Sequence, residues 1–386
     1  MKLNRVLEQH IAVFGESGSG KTVLVSSFYG ATQEPAFLQS SLFDVTADDT
    51  GQGHRLHANY LGMKDSARPP MTTKFAVTSY AFSVKVRNDG GNVKSPSPFD
   101  AMRLVWHDYP GDWFQEEVSD PELADRRVAT FRSLLGSDVA FLLIDGQRLL
   151  DNDGEEERYL KSVLGSFRTG LLRLKDDLLE GGEPLVRFPR IWVLALSKAD
   201  LLPEFDVFRF RDLLISKAAD DLAELRKVLE GIVASPDALA VGEDFVLLSS
   251  AKFEPGRIEV AERIGLDLLL PLAAVLPLER HVKWIGQKQL PAKVAADLLD
   301  GVGELAVALL SRITKVAVLR KALEKVFGRE IIDAQIDRMI DKTVDQLRKL
   351  YADALEQQNY MQAVLTQFLI DLKDGEEGRV LLRSKK

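Results

Sequence analysis

Short apolar runs alternate with longer amphipathic segments along the first two thirds of the chain. Apolar runs predict strands at 10–14, 103–107, 139–144, 191–196 and 245–248. The run 139–144 is apolar throughout, which is typical of the centre of a parallel sheet. Helical spacing predicts helices at 21–29, 119–136, 155–180 and 205–233. This alternation predicts a doubly wound, mostly parallel α/β sheet.

Two further segments of this region have distinct patterns. Residues 74–86 alternate apolar and polar positions, which predicts a half-buried strand, and "NDGG" at 88–91 predicts a hairpin turn after it. Before that strand lies a polar stretch, about 31–71. It is too long for a passive connection, so we expect it to be either functional or mobile.

The pattern changes near residue 291, after which helical spacing dominates. Apolar residues recur every three or four positions at Val294, Leu298, Val302, Leu305 and Leu309, at Ile332, Ile336, Ile340, Val344, Leu347 and Tyr351, and at Val364, Leu365, Phe368 and Leu372. Such stripes predict amphipathic helices. We therefore expect an α/β domain over 1–280 and an all-α C-terminal domain over 281–386.

Composition narrows the class of protein. The chain has 386 residues, of which 46% are hydrophobic, enough for a large core and two domains. The net charge of -8 argues against nucleic acid as the main ligand. The absence of cysteine excludes disulfides. The N-terminus lacks the apolar core of a signal peptide, and the longest apolar run, 268–278, is too short to span a membrane. We expect a cytoplasmic location and leave peripheral membrane contact open.

The first predicted strand is followed by "GESGSGKT", which fits the phosphate-loop pattern G-x-x-x-x-G-K-[ST]. In such a loop, backbone N–H groups converge on phosphate oxygens, the lysine reaches the β- and γ-phosphates, and the last hydroxyl binds Mg²⁺. The candidate phosphate-binding residues are Gly15, Glu16, Ser17, Gly18, Ser19, Gly20, Lys21 and Thr22.

Three downstream segments, each at the end of a predicted strand, help to choose the nucleotide. In "WHDYPGDW", Asp108 can hold the hydration shell of Mg²⁺, and the N–H of Gly111 can reach a γ-phosphate. In "LSKAD", the Asp200 carboxylate can accept hydrogen bonds from guanine N1 and N2, a donor pair that adenine lacks. In "SSAK", the Ala251 N–H can meet guanine O6.

The phosphate loop, D-x-P-G, S-K-x-D and S-A-K, in this order over residues 15–252, resemble the Ras-like P-loop GTPases of the translation-factor (TRAFAC) class. "DYPGDW", the long first switch and the helical tail look most like the YcjX-like and bacterial double-GTPase proteins. The resemblance implies that the chain binds GTP or GDP with Mg²⁺. It implies base contacts from Ser197, Lys198, Asp200, Ser250, Ala251 and Lys252.

The resemblance also implies a first-switch threonine on Mg²⁺, for which we favour Thr72 over Thr73. Asp112 stands where Ras-like enzymes place a water-orienting glutamine. An aspartate is shorter and negatively charged, so we expect slow intrinsic hydrolysis. Arg68, four residues before Thr72, is a candidate for neutralising charge in the transition state.

The expected function is a GTP-dependent molecular switch whose helical domain serves an unidentified protein effector. One alternative is a self-assembling or membrane-associated mechanical GTPase, which would form homo-oligomers. Another is an ATPase or kinase, against which Asp200 argues.

Overall fold

The computed structural model describes residues 6–70, 78–87, 101–108, 121–287, 342–356 and 360–384, with positions 290, 291, 293, 294 and 298 between them. The predicted α/β class is confirmed, with a mostly parallel sheet, flanking helices and a helical C-terminal region. The hairpin turn at 88–91 and all of the stripe residues from 302 to 340 lie outside the described residues.

The strands extend most of the predicted apolar runs by a few residues. They are β1 (Val6–Phe14), β2 (Phe43–Ala47), β3 (Thr78–Val86), β4 (Ala101–Asp108), β5 (Val139–Asp145), β6 (Ile191–Ser197), β7 (Ala240–Leu248), β8 (Lys252–Glu254), β9 (Arg257–Glu259) and β10 (Leu381–Leu382). Within the described residues, eight strands form one sheet in the order β10-β7-β6-β5-β1-β4-β3-β2. The five central strands are parallel, and β3, β2 and β10 join the two edges antiparallel.

Helices cover both faces of the sheet. They are α1 (Lys21–Thr32), α2 (Pro35–Ser40), α3 (Thr50–Ser66), α4 (Pro121–Leu134), α5 (Gly146–Asp151), α6 (Glu156–Leu178), α7 (Val207–Glu230), α8 (Leu269–Gln287), α9 (Val344–Glu356) and α10 (Tyr360–Glu377). Alternation along β1 shows the two layers: Ile11 and Val13 pack with α1, α8 and α10, whereas Ala12 and Phe14 pack with α4, α6 and α7. Burial on both faces explains why β5 and β6 are apolar almost throughout.

The polar stretch 31–71 contains three elements that the hydrophobic pattern does not indicate. Helix α2, strand β2 and helix α3 fill residues 35–66, and β2 extends the sheet beyond β3. Helix α3 begins at the Asp49 cap, whose carboxylate accepts a hydrogen bond from the Gln52 N–H. The buried residues of α3 include Leu56, Tyr60 and Met63, which face the rest of the protein.

The C-terminal elements pack into the same core as the sheet. Phe368 on α10 is buried in the same hydrophobic cluster as residues of α1 and α8. Residue 280, where we expected the α/β domain to end, lies inside α8. Strand β10 pairs with β7, and Arg383 just after it forms ion pairs with Glu279 on α8 and Glu376 on α10. The Arg383–Glu279 ion pair therefore joins the C-terminal segment to α8, and the pairing of β10 with β7 joins it to the edge of the sheet.

Candidate nucleotide-binding site

The sequence motifs meet at one edge of the sheet. The phosphate loop follows β1, Asp108 ends β4, Ser197 ends β6, and Ser249 follows β7. These four strands are parallel to one another, so their carboxyl ends lie on the same side. In open α/β sheets this side forms the crevice in which ligands bind.

The phosphate loop has backbone conformations that require glycine. Gly18 and Gly20 have φ angles of 83° and 91°, in the left-handed region that a side chain disfavours. A turn is closed by the Ser19 N–H, which donates to the Glu16 carbonyl at 3.2 Å. Gly20 is the N-cap of α1, so the loop leads directly into a helix N-terminus, where N–H groups and the helix dipole favour an anion.

The side chains of this loop fit a bound phosphate group. Lys21 is buried, and its Nζ donates to the carbonyls of Gly15 at 2.8 Å and Glu16 at 2.9 Å. The hydroxyl of Ser19 is buried and has no hydrogen-bond partner among the described residues. A buried ammonium and an orphaned hydroxyl beside a helix N-terminus are groups that phosphate oxygens would satisfy.

Thr22 and Asp108 come together although 86 residues separate them. Parallel pairing of β1 with β4 places Val13 beside Asp108, and Thr22 Oγ1 donates to Asp108 Oδ2 at 3.1 Å. A hydroxyl and a carboxylate are the hard oxygen donors that Mg²⁺ prefers. The two residues therefore fit an Mg²⁺ ion held next to the phosphate loop.

The S-K-A-D segment begins at the end of β6. Ser197 is buried, and its Oγ donates to the Ile144 carbonyl at 3.3 Å. Lys198 has a φ angle of 53°, and its Nζ donates to Asp145 Oδ2 at 2.8 Å. Asp200 lies in the short 3-10 helix that follows, Ala199–Leu201.

Asp200 contacts the segment after β7 through both of its oxygens. Ser249 Oγ lies 2.6 Å from Asp200 Oδ1, and the Phe253 N–H donates to Asp200 Oδ2 at 3.2 Å. Of the S-S-A-K residues, Ala251 is fully buried, and exposed Lys252 pairs with Glu254 and Glu262. The hydroxyl that contacts Asp200 thus belongs to Ser249, a residue that the sequence analysis did not name, and the base contact of Ser250 stays a prediction.

Comparison of the whole sequence with known protein families decides which family the chain belongs to. Residues 9–227 match the family model Double-GTPase 2, which covers more than half of the chain. The chain belongs to the Double-GTPase 2 family. The resemblance to double-GTPase proteins is therefore confirmed, and with it membership of a GTP-binding P-loop GTPase family.

Solved structures similar to this Double-GTPase 2 protein include several GTP-binding proteins. Nucleolar GTP-binding protein 1 from Plasmodium falciparum is 11% identical over 71% of this chain and 88% of that one, with a TM-score of 0.30. The signal recognition particle receptor complex SRb-GTP/SRX from Chaetomium thermophilum is 18% identical over 64% of this chain and 92% of that one, with a TM-score of 0.29. Era from Aquifex aeolicus bound to GDP·AlF4⁻ is 14% identical over 74% of this chain and 69% of that one, with a TM-score of 0.25. With TM-scores this low, the fold assignment rests on the sheet order and the family match. No curated protein matches the sequence.

Three predicted residues lie outside the described part of this Double-GTPase 2 protein: Thr72, Gly111 and Asp112. Arg68 is described and exposed, and its backbone N–H donates to the Gly62 carbonyl at the end of α3. Among the described residues, none of the helices has the length and apolar character needed to cross a membrane.

Sequence reasoning missed a second group of residues beside the phosphate loop. Arg148 on α5 lies with its Nη1 3.1 Å from Glu16 Oε2 and its Nη2 3.4 Å from the Ser17 carbonyl. Burial raises the pKa of the Glu16 carboxyl, and the charge of Arg148 opposes that rise. Asp145 belongs to the same group, and the sequence does carry a signal for it. It ends the apolar strand β5, and a carboxylate at the end of a parallel strand lies on the ligand side of the sheet. Nothing in the sequence singles out Arg148.

Proposed function

We propose that this protein binds GTP and GDP, hydrolyses GTP slowly, and acts as a nucleotide-dependent switch. The observation that carries the proposal is the meeting of two motifs at one sheet edge: the Lys21–Thr22–Asp108 group and the Asp200 carboxylate. The first group suits a nucleoside polyphosphate with Mg²⁺, and the second suits guanine. The family match supports the same ligand.

Each residue has a defined task in this proposal. Lys21 and the N–H groups of the loop from Gly15 to Gly20 hold the β- and γ-phosphates and stabilise charge that develops there. Thr22 and Asp108 would hold Mg²⁺, which would supply positive charge beside the phosphates. Asp200 accepts hydrogen bonds from the guanine edge, and Ser249 and the Phe253 N–H keep that carboxylate oriented.

The proposed rate is low because Asp112 occupies the position of the water-orienting group. A carboxylate beside a γ-phosphate repels it unless a cation intervenes, so water is oriented poorly. The proposed output is a switch in which Thr72 would contact Mg²⁺ and Gly111 the γ-phosphate, and an effector distinguishes the GTP-bound from the GDP-bound protein.

A single-turnover assay of phosphate release from GTP tests the proposed activity. Wild type should release phosphate from GTP in the presence of Mg²⁺, and Lys21→Ala should lose nearly all of this activity. Asp112→Gln should raise the rate several-fold if Asp112 limits the orientation of water. Release of phosphate from ATP, with no release from GTP above the Lys21→Ala background, would overturn the proposal.

A further inference from the structure

The junction between β5 and α5 contacts both halves of the candidate site. This junction, "DGQR", comprises Asp145, Gly146, Gln147 and Arg148, and none of the four belongs to the motifs that the sequence resemblance uses. Asp145 contacts Lys198 of the base motif, and Arg148 contacts Glu16 and Ser17 of the phosphate loop. The junction therefore connects two segments that are more than 170 residues apart in sequence.

The contact with Lys198 is built to fix the direction of that side chain. Asp145 is 2% exposed, and its Oδ2 accepts from Lys198 Nζ at 2.8 Å. Its Oδ1 accepts from the Gln147 N–H at 3.0 Å, and its own N–H donates to the Tyr159 hydroxyl at 2.9 Å. With the carboxylate held by α5 and the backbone held by α6, Asp145 is a rigid acceptor for the lysine.

Gly146 brings the backbone of the base motif against the same turn. A Cβ atom at this position would lie 2.7 Å from the Ser197 carbonyl oxygen and 2.9 Å from that of Lys198. Backbone atoms cannot move aside as a flexible side chain can, so the close approach requires glycine here. The contact gives a second reason, independent of the ion pair, for placing the base motif on this turn.

The other end of the turn holds the phosphate loop. Arg148 spans the Glu16 carboxylate and the Ser17 carbonyl. Tyr159, whose hydroxyl accepts from the Asp145 N–H, also opposes the rise in the pKa of the Glu16 carboxyl. The two halves of the site are joined by a short, mostly buried chain of contacts.

We propose that Asp145 is a positioning residue for nucleotide binding, which acts by holding Lys198 so that its stem lies along the base. The inference rests on the proposed function, because it needs a guanine nucleotide at Asp200. The competing explanation is that Asp145 serves only as the N-cap of α5. The two explanations differ in what removal of the charge does, since Asn caps a helix as well as Asp does.

The test measures the dissociation constant of fluorescent GDP for wild type, Asp145→Asn, Lys198→Met and the double variant. Asp145→Asn should weaken GDP binding about tenfold, because the ion pair between the carboxylate and the Lys198 ammonium is replaced by a weaker hydrogen bond to a neutral amide. The double variant should bind GDP within about twofold of Lys198→Met alone, because Asp145 acts through Lys198. Asp49→Asn, which alters the exposed cap of α3, is the matched control and should bind as wild type does.

Two results would overturn the inference while leaving the proposed function intact. One is wild-type affinity in Asp145→Asn, and the other is a double variant whose loss is the product of the two single losses. If wild type itself binds no GDP, the proposed function fails and the inference fails with it. If Asp145→Asn does not fold, Asp145→Glu and Asp145→Gln give the same comparison, and only the charged variant should retain affinity within about threefold of wild type.

Discussion

At the scale of single residues, the site depends on small groups that orient charged ones. Asp200 is the residue that distinguishes guanine in the proposed function, and its direction is set by Ser249 and by the Phe253 N–H. A carboxylate held in this way loses little conformational entropy on binding, because its rotamer is already fixed. The neighbours of Asp200 should therefore affect affinity for the nucleotide.

Replacement of Ser249 tests this arrangement. Ser249→Ala removes the hydroxyl beside Asp200 Oδ1, and the expected result is GDP binding weakened about five- to tenfold, the value of one hydrogen bond to a charged group. Ser216→Ala, which removes an exposed hydroxyl on α7, is the control and should change the affinity less than twofold. Titration with fluorescent GDP measures both. A loss in Ser249→Ala no larger than in Ser216→Ala would contradict the geometry.

The motif positions could be predicted from sequence because phosphate loops and base motifs have fixed spacing and stand at strand ends. The partners of the motifs could not. Ser249 and Ser250 are adjacent serines, and only the fold shows which hydroxyl turns toward Asp200. Arg148 lies 131 residues from the Ser17 carbonyl that it contacts, and its position in sequence gives no sign of this.

At the scale of elements, the insertion between α1 and β3 is a packed part of the fold. Helix α3 lies against α1, and Tyr60 lies where a side chain on Gly30 would project. The five central strands were predictable because each contains an apolar run, whereas α3 was not. Its buried residues are few, and glycines and histidines interrupt the stripe.

Gly30 allows the close approach of α1 and α3. A Cβ atom there would lie 2.1 Å from Tyr60 Cγ, so Gly30→Ala must push the helices apart. We expect a loss of about 2 kcal/mol in the free energy of unfolding, measured by chemical denaturation. Gly165→Ala on α6 is the control, because nothing lies within 4 Å of the added carbon, and it should gain about 0.5–1 kcal/mol. Equal stability of the two variants would contradict this packing.

Helix α10 carries a half-buried acid, Asp371, whose ionisation opposes folding. Burial raises the pKa of Asp371 to about 6 from an ordinary value of 3.8, against a smaller opposing effect of the hydrogen bond from Gln367. Because the folded-state pKa is the higher one, the folded protein holds a proton that the unfolded chain releases. The resulting stabilisation is complete below about pH 4 and is lost as pH rises through about 6.

Asp371→Asn removes this pH dependence. The variant should be more stable than wild type at pH 7.5, by up to about 3 kcal/mol, and nearly equal to it at pH 4. Chemical denaturation at the two pH values measures the difference. Asp345→Asn, at an exposed position of α9, is the control and should show little change. A variant less stable than wild type at pH 7.5 would contradict the assignment.

At the scale of the whole molecule, the C-terminal segment belongs to the same packed unit as the sheet. Helix α10 shares a core with α1 and α8, and Arg383 lies 7% exposed between Glu279 and Glu376. Removing one member of a buried ion pair leaves the others without compensation, which costs more than the pair itself contributes.

Replacement of Arg383 shows how strongly this segment supports the fold. Arg383→Met should lower the free energy of unfolding by about 3–5 kcal/mol, because Glu279 stays buried but loses its ion pair with Arg383. Arg226→Met, at a half-exposed surface pair with Glu230, should cost less than about 1 kcal/mol. Similar losses for both variants would show that the C-terminal pairs contribute no more than surface pairs do.

The central claim is that the site binds a guanine nucleotide through Asp200. The most direct measurement compares the binding of fluorescent GDP, ADP and xanthosine diphosphate to wild type and Asp200→Asn in the presence of Mg²⁺. Wild type should prefer GDP, and Asp200→Asn should prefer the xanthine nucleotide, whose O2 acceptor suits an amide donor. Equal binding of ADP and GDP, unchanged by the substitution, would contradict the claim and assign the phosphate loop to an ATP-using enzyme.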